Sequence, residues 1–288
     1  MRLFVFGLGY SAHAFIRSNS WTHVAGTVRE HDKAQRLRQQ GISAYALSQD
    51  DADLGSDLRR ADAILVSVPP SGEGDPVLSR FSDEIASSNA AWIGYLSTTG
   101  VYGDHGGAWI DETTPARPQS RSSVCRHAAE DAWLALGQQT GKAVQIFRLT
   151  GIYGPGRNAF VNLAQGTARR IVKLGQVFNR IHVDDIATTL SASLRKPRVG
   201  AIYNVSDDEP APPQDVVAYA AQLAGVEPPP ETAFEAAEMS AAARSFYAEN
   251  KRVSNGLIKD ELGVRLLYPT YREGLQALYA AGEFTQAA

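Results

Sequence analysis

Short apolar runs separated by longer amphipathic stretches mark the first half of the chain: Leu3–Phe6, Val24–Val28, Ser43–Leu47, Ala63–Val68, Ala91–Leu96 and Ala143–Leu149. Runs without polar alternation are what strands covered on both faces require, because neither side of the pleat meets water. Between them, Asp32–Gln40 is closed by Gly41, Val77–Ser87 follows the fourth run, and Ser123–Leu136 ends before Gly137. A glycine after the last periodic residue supplies the left-handed turn that stops a helix. Strand and helix in strict turn predict an α/β protein with a Rossmann-type doubly wound parallel sheet.

Beyond Leu149 the alternation breaks and prolines gather at Pro155, Pro210, Pro212, Pro213 and Pro228 to Pro230. The expected division is a dinucleotide-binding domain at 1–150 and a smaller C-terminal substrate-binding part at 151–180 and 206–288. A helix over Asp184–Leu194 and a strand over Ala201–Val205 return residues 181–205 to the first sheet. The Ala/Glu-rich stretch Glu231–Ala243 reads as a surface helix or cap.

The first βα turn carries Gly7-Leu8-Gly9-Tyr10-Ser11-Ala12. Gly7 permits the tight turn, Gly9 lets the backbone approach a pyrophosphate, and Ala12 keeps helix and strand close, with the helix N-terminus facing the anion. Tyr10 and Ser11 complete the loop, and Val68 with Pro69, where the fourth strand ends, flank the adenosine half. At the end of the second strand, NAD sites place an acid on the ribose hydroxyls, whereas this chain has Thr27-Val28-Arg29. A guanidinium pairs with a 2′-phosphate, and His31 and Lys33 add positive character, so NADP(H) is expected in preference to NAD(H).

Composition removes several other classes. The 288 residues are 44% hydrophobic and carry a formal net charge of −3, so a polyanionic partner such as nucleic acid is not expected. The single cysteine, Cys125, has no intramolecular partner, and no Cys/His spacing suggests a metal site. With no signal-peptide order and no apolar run of roughly twenty residues, the expected location is the cytoplasm.

Three further segments carry a resemblance. Ser97-Thr98-Thr99-Gly100-Val101-Tyr102-Gly103 closes the fifth strand, Arg148-Leu149-Thr150-Gly151-Ile152-Tyr153-Gly154-Pro155-Gly156-Arg157 closes the sixth, and Arg180-Ile181-His182-Val183-Asp184-Asp185-Ile186-Ala187 follows. In this order they resemble NAD(P)-dependent epimerase/dehydratase proteins of the extended short-chain dehydrogenase/reductase superfamily. The resemblance implies that Thr98, four residues before Tyr102, hydrogen-bonds the reacting oxygen. It also implies a proton-transferring tyrosine and, four residues on, a lysine that lowers its pKa and holds the nicotinamide ribose. Counted back from Glu130, those positions are Ser122 and Arg126. A serine hydroxyl is far less acidic than a phenol of pKa about 10, so Ser122 does not replace the tyrosine directly. Arg126 retains the donors and charge that ribose positioning needs.

On the substrate side, Tyr102 and Tyr153 are pocket candidates, and Arg157 and Arg180 are candidates to meet an anionic group such as that of a nucleotide sugar. His105, His127 and Cys125 titrate nearer neutrality but receive no catalytic assignment. The chemistry expected is NADP(H)-dependent oxidoreductase, epimerase or dehydratase activity on a small polar substrate, with a homodimer possible through the helices at Val77–Ser87 and Ser123–Leu136. The alternative is a dinucleotide-binding sensor without turnover.

Overall fold

A computed structural model describes residues 1–47 and 52–284. The sheet strands are β1 (Arg2–Phe6), β2 (His23–Val28), β3 (Ser43–Ala46), β4 (Ala63–Val66), β5 (Trp92–Thr98), β6 (Ala143–Leu149) and β7 (Ala201–Val205). Every pairing is parallel and the spatial order is β3-β2-β1-β4-β5-β6-β7. The order reverses between β1 and β4, which opens a crevice at the carboxyl ends of those strands.

The helices in chain order are α1 (Tyr10–Arg17), α2 (His31–Gln39), α3 (Ala52–Arg59), α4 (Leu78–Ser87), α5 (Arg121–Thr140) and α6 (Ala159–Ala164). They continue as α7 (Val183–Arg195), α8 (Pro213–Ala224), α9 (Ala241–Phe246), α10 (Gly256–Asp260) and α11 (Tyr271–Ala280). Phe15 of α1, Leu37 of α2 and Leu190 of α7 pack against Leu3, Val5 and Phe147 on one face of the sheet. Leu58 of α3, Phe81 and Ile85 of α4 and Trp133 of α5 pack against Phe4, Ile64 and Ile146 on the other. Phe4 and Val5 thus enter different cores although adjacent, which is why β1 reads as an unbroken apolar run.

Two expectations are corrected. Helix α5 passes through Gly137 and stops at Gly141, whose φ is +72°. Gly137 serves packing instead: a Cβ there would lie 2.9 Å from the Val144 side chain. The stretch Glu231–Ala243 is not a helix. Glu231–Ala233 forms a strand parallel to Arg170–Val172, fastened by a 2.6 Å Arg170–Glu231 ion pair, and α9 begins only at Ala241. Three successive prolines just upstream favour extended backbone there.

Past β6, helices α6, α8 and α11 enclose a small second core of Tyr153, Phe160, Tyr271 and Leu275. Asp185, at the start of α7, fastens the chain that leads to α11: its carboxylate accepts from the amides of Leu267 (2.6 Å) and Tyr268 (3.1 Å).

Candidate dinucleotide site and adjoining cleft

The turn after β1 is built by glycine for two different reasons. Gly7 has φ +89°, and a Cβ there would stand 3.1 Å from Val68 Cγ2, so both backbone and space require glycine. Its amide donates to Thr27 Oγ1 at 3.1 Å, and the Leu8 amide donates to the Thr27 carbonyl at 2.9 Å, which ties the turn to β2. Gly9 is unlike it. Its φ of −107° suits any residue, and an added Cβ would find nothing of the protein nearer than 3.8 Å. Gly9 is also the N-cap of α1 and gives it no side-chain cap, so first-turn amides are left for an outside acceptor.

A cavity of about 250 Å³ opens at this turn, and Gly7, Gly9, Arg29, Lys33, Val68 and Pro69 line it. The expected adenosine-side residues are therefore gathered, with Lys33 of α2 added. Arg29 is exposed, and its side chain makes no hydrogen bond or ion pair among the described residues. Ser11 and Ala12 are buried beneath the loop, and the Tyr10 hydroxyl donates to the Pro155 carbonyl at 2.9 Å.

Thr98 ends β5 half-buried, and its Oγ1 accepts from the Gly100 amide at 3.1 Å, capping the short helical turn Thr99–Tyr102. The hydroxyl proton stays available for donation. The start of α5 closes on this turn: a Cβ on Gly100 would lie 2.9 Å from Ser123 Oγ and 3.4 Å from Thr98 Oγ1. Ser122 is exposed, 3.0 Å by its Oγ from that of Ser120, which also caps α5 through the Ser123 amide. Arg126 lies against β5, where Nη1 donates to the Leu96 carbonyl (3.0 Å) and the Tyr95 hydroxyl (3.1 Å). Its remaining guanidinium donors make no hydrogen bond among the described residues. Burial holds the Tyr95 phenol far above its ordinary pKa, so that phenol is no proton donor at neutral pH.

A buried network fixes the end of β5 from behind. Glu130 of α5 pairs with Arg148 of β6, with Nη2 to Oε2 at 2.6 Å and Nε 3.2 Å from both carboxylate oxygens, and Ser97 also donates to it. The Arg148 guanidinium covers the Tyr102 ring at 4.7 Å, and the Tyr102 hydroxyl donates to Asn204 Oδ1 at 2.8 Å. Tyr102, expected to face the substrate, is instead fully buried with its hydroxyl committed to β7. Its motif tyrosine is a strut between strands.

Of the three other expected substrate residues, Tyr153 and Arg180 lie within electrostatic reach of each other and of Asp207. Tyr153 is buried in the second core, edge-on to His182 at 5.1 Å, and burial raises its phenol pKa well beyond the usual range. Arg180 spends Nη1 on the Phe178 and Ala211 carbonyls (2.9 and 3.1 Å) and lies over Tyr271, contacts that hold it against the second core. Arg157 is exposed on the turn after β6, on the side of α1. His105 bonds the Tyr102 carbonyl region, and His127 lies near Glu130 and Asp131 on α5.

Sequence reasoning passed over Asp207, just beyond β7. It is 1% exposed, Oδ2 has no partner, and burial pushes its pKa up to about 8 despite Arg180 nearby. Nothing local marks an aspartate after a strand as buried. Among the described residues no group of three or more His, Cys, Asp or Glu could hold a metal, and no helix is long and apolar enough to cross a membrane.

With a doubly wound sheet, a glycine turn at its switch point and a threonine at the end of β5, the chain belongs to the NAD-dependent epimerase/dehydratase family, whose family model matches residues 82–206. It is 33% identical over 236 residues to Protein YeeZ of Escherichia coli K12, covering 77% of this chain and 82% of that protein. A functionally unknown conserved protein from Silicibacter pomeroyi is 48% identical, with a TM-score of 0.90 over 97% of this chain and 98% of that one. The fold is also that of UDP-glucuronic acid 4-epimerase from Bacillus cereus, solved in complex with NAD (18% identity, TM-score 0.77, covering 97% and 96%).

Proposed function

We propose that this protein is an NADP(H)-dependent oxidoreductase or epimerase/dehydratase acting on a small polar substrate. The observation that carries the reading is Gly9: neither its backbone nor its protein surroundings need glycine, so the space over it is explained by a ligand backbone approaching α1. Arg29 and Lys33, both lining the same cavity, support a 2′-phosphorylated dinucleotide. When bound, that cofactor supplies the hydride chemistry. Thr98 donates its free hydroxyl proton in a hydrogen bond to the reacting oxygen. Arg126 offers its unpartnered donors to the ribose and its charge to the site. Ser122, open to solvent and linked to Ser120, passes a proton from water in place of the absent phenol.

A second reading, a dinucleotide sensor without turnover, is favoured by the acid–base inventory. Tyr95, Tyr102 and Tyr153 are buried with raised pKa values, and none takes over from the missing tyrosine. Calorimetric titration with NADPH, NADP, NADH and NAD, repeated with Arg29→Ala and Gly9→Val, tests the cofactor assignment. Preferential binding of the phosphorylated forms, reduced in Arg29→Ala and abolished in a folded Gly9→Val, is the expected result. Binding of none of the four would end the proposal. NADPH oxidation against a panel of small carbonyls then divides enzyme from sensor.

A further inference from the structure

Arg157 stands at the end of a turn of defined shape. Gly154 and Arg157 exchange backbone hydrogen bonds of 3.0 Å, Asn158 donates to the Gly154 carbonyl at 2.9 Å while capping α6, and Glu283 accepts from the Gly156 amide at 2.8 Å. The turn touches the glycine loop through Tyr10, the residue after Gly9. The Tyr10 hydroxyl donates to the Pro155 carbonyl at 2.9 Å, and it fills the place of a Cβ on Gly154, 2.6 Å from where that atom would stand. Electrostatics agree with the proximity: burial raises the Tyr10 pKa and the positive charge of Arg157 opposes it. Asp184, Glu283 and Arg17 complete the charges around that phenol. Glu283 is occupied by Gly156 and Asn158, and Asp184 lies beside His182. The Arg157 side chain makes no hydrogen bond or ion pair among the described residues.

A rigid turn therefore presents an uncommitted guanidinium beside the first residue of the helix whose N-terminus is uncapped. A substrate role, the expectation from sequence, would place this cation with Arg180, but Arg180 is held by carbonyls in the second core. We propose that Arg157 is a cofactor-binding residue, closing on the dinucleotide pyrophosphate from beyond β6, with Tyr10 as the strut that holds its turn against the glycine loop. The assignment rests on the dinucleotide reading above and adds a second wall to that site. It makes cofactor affinity depend on a segment that follows β6, so that the turn leading into the second core is fastened whenever the pyrophosphate is bound.

The test is calorimetric titration of the intact protein with NADPH and with 2′-AMP, which carries the adenosine and 2′-phosphate but no pyrophosphate. Arg157→Ala is expected to weaken NADPH about ten-fold or more, the scale of a lost charge-assisted phosphate contact, with 2′-AMP affinity unchanged. Arg157→Lys recovers part of the loss, because a point charge remains without the bidentate fork. Tyr10→Phe gives a smaller loss in the same direction, and thermal melts establish that each variant is folded. Unchanged NADPH affinity in Arg157→Ala, with Arg29→Ala still reducing it, would overturn this assignment and leave the dinucleotide reading standing. A wild-type protein that binds neither probe would overturn both.

Discussion

Glu130→Gln removes one charge from the buried pair that lies behind Thr98 and keeps the shape of the side chain. In the native protein the Glu130 and Arg148 side chains are 1% and 5% exposed, and three contacts of 2.6 to 3.2 Å join them. Arg148 has no other carboxylate within ion-pair distance among the described residues, only the face of Tyr102. The variant leaves a guanidinium uncompensated in the core, and breaking such a pair costs about 3–5 kcal/mol. For a chain of this size, each kcal/mol lowers the melting temperature by roughly 2 °C or a little more, so the fall is on the order of 6–15 °C. Urea denaturation followed by circular dichroism and tryptophan fluorescence gives the free energy directly, provided the two probes coincide. Glu130→Leu with Arg148→Met tests the cause: removing both charges recovers most of the loss, because the penalty lies in the stranded cation and not in a missing attraction. A Glu130→Gln loss below about 1 kcal/mol would refute this account and mean that water reaches Arg148.

Asp207 and Asp185 make stability fall as pH rises, since both pKa values are raised in the fold, to about 8 and about 6. The folded state then holds protons that the unfolded chain has released, so the contribution of these two groups is full below about pH 4 and is lost up to about pH 8, Asp185 ending its part near pH 6. Asp207→Asn flattens the upper part of that curve, and melts at pH 5 and pH 8.5 that kept the wild-type difference would contradict it. Gly274→Ala sets a methyl 2.0 Å from the Tyr153 hydroxyl, which Thr270 and His182 confine, and is expected to cost about 1–3 kcal/mol by urea denaturation; a neutral result would mean that the second core yields. Ser122→Tyr with Arg126→Lys has room for the larger ring because Ser122 is exposed, and should raise NADPH-dependent reduction of small carbonyls; a folded variant with unchanged rates argues for the sensor reading.

The parts of this protein that are legible in sequence are those set by local chemistry. Buried strands announce themselves because both faces need apolar residues, and the glycine turn because it is built within a few residues of a strand end. The choice between two uses of one residue type was not legible. Gly137 has the look of a helix stop, but the approach of Val144 decides its role, and Gly141 four positions on ends α5. Tyr102 looks like a pocket residue because it flanks a motif glycine, and Arg180 because a guanidinium suits an anion, yet Asn204, 102 positions from Tyr102, and the Ala211 carbonyl claim them.

The same logic separates the two arginines that sequence put together. Arg157 follows the short strand Gly151–Tyr153 and Arg180 opens the strand Arg180–His182 that pairs with it, and both suit an anionic substrate group by sequence. What distinguishes them is desolvation: carbonyls and Tyr271 surround Arg180, while Arg157 stays in solvent with its donors unspent. A cation whose Nη1 is engaged by two carbonyls would lose those bonds in swinging toward an anion, whereas an unspent one beside a helix N-terminus adds its charge to the helix field. On the proposed reading, anion binding falls at the α1 end of the cleft, where Arg29 and Lys33 line the cavity and Arg157 stands on the turn that the Tyr10 hydroxyl touches.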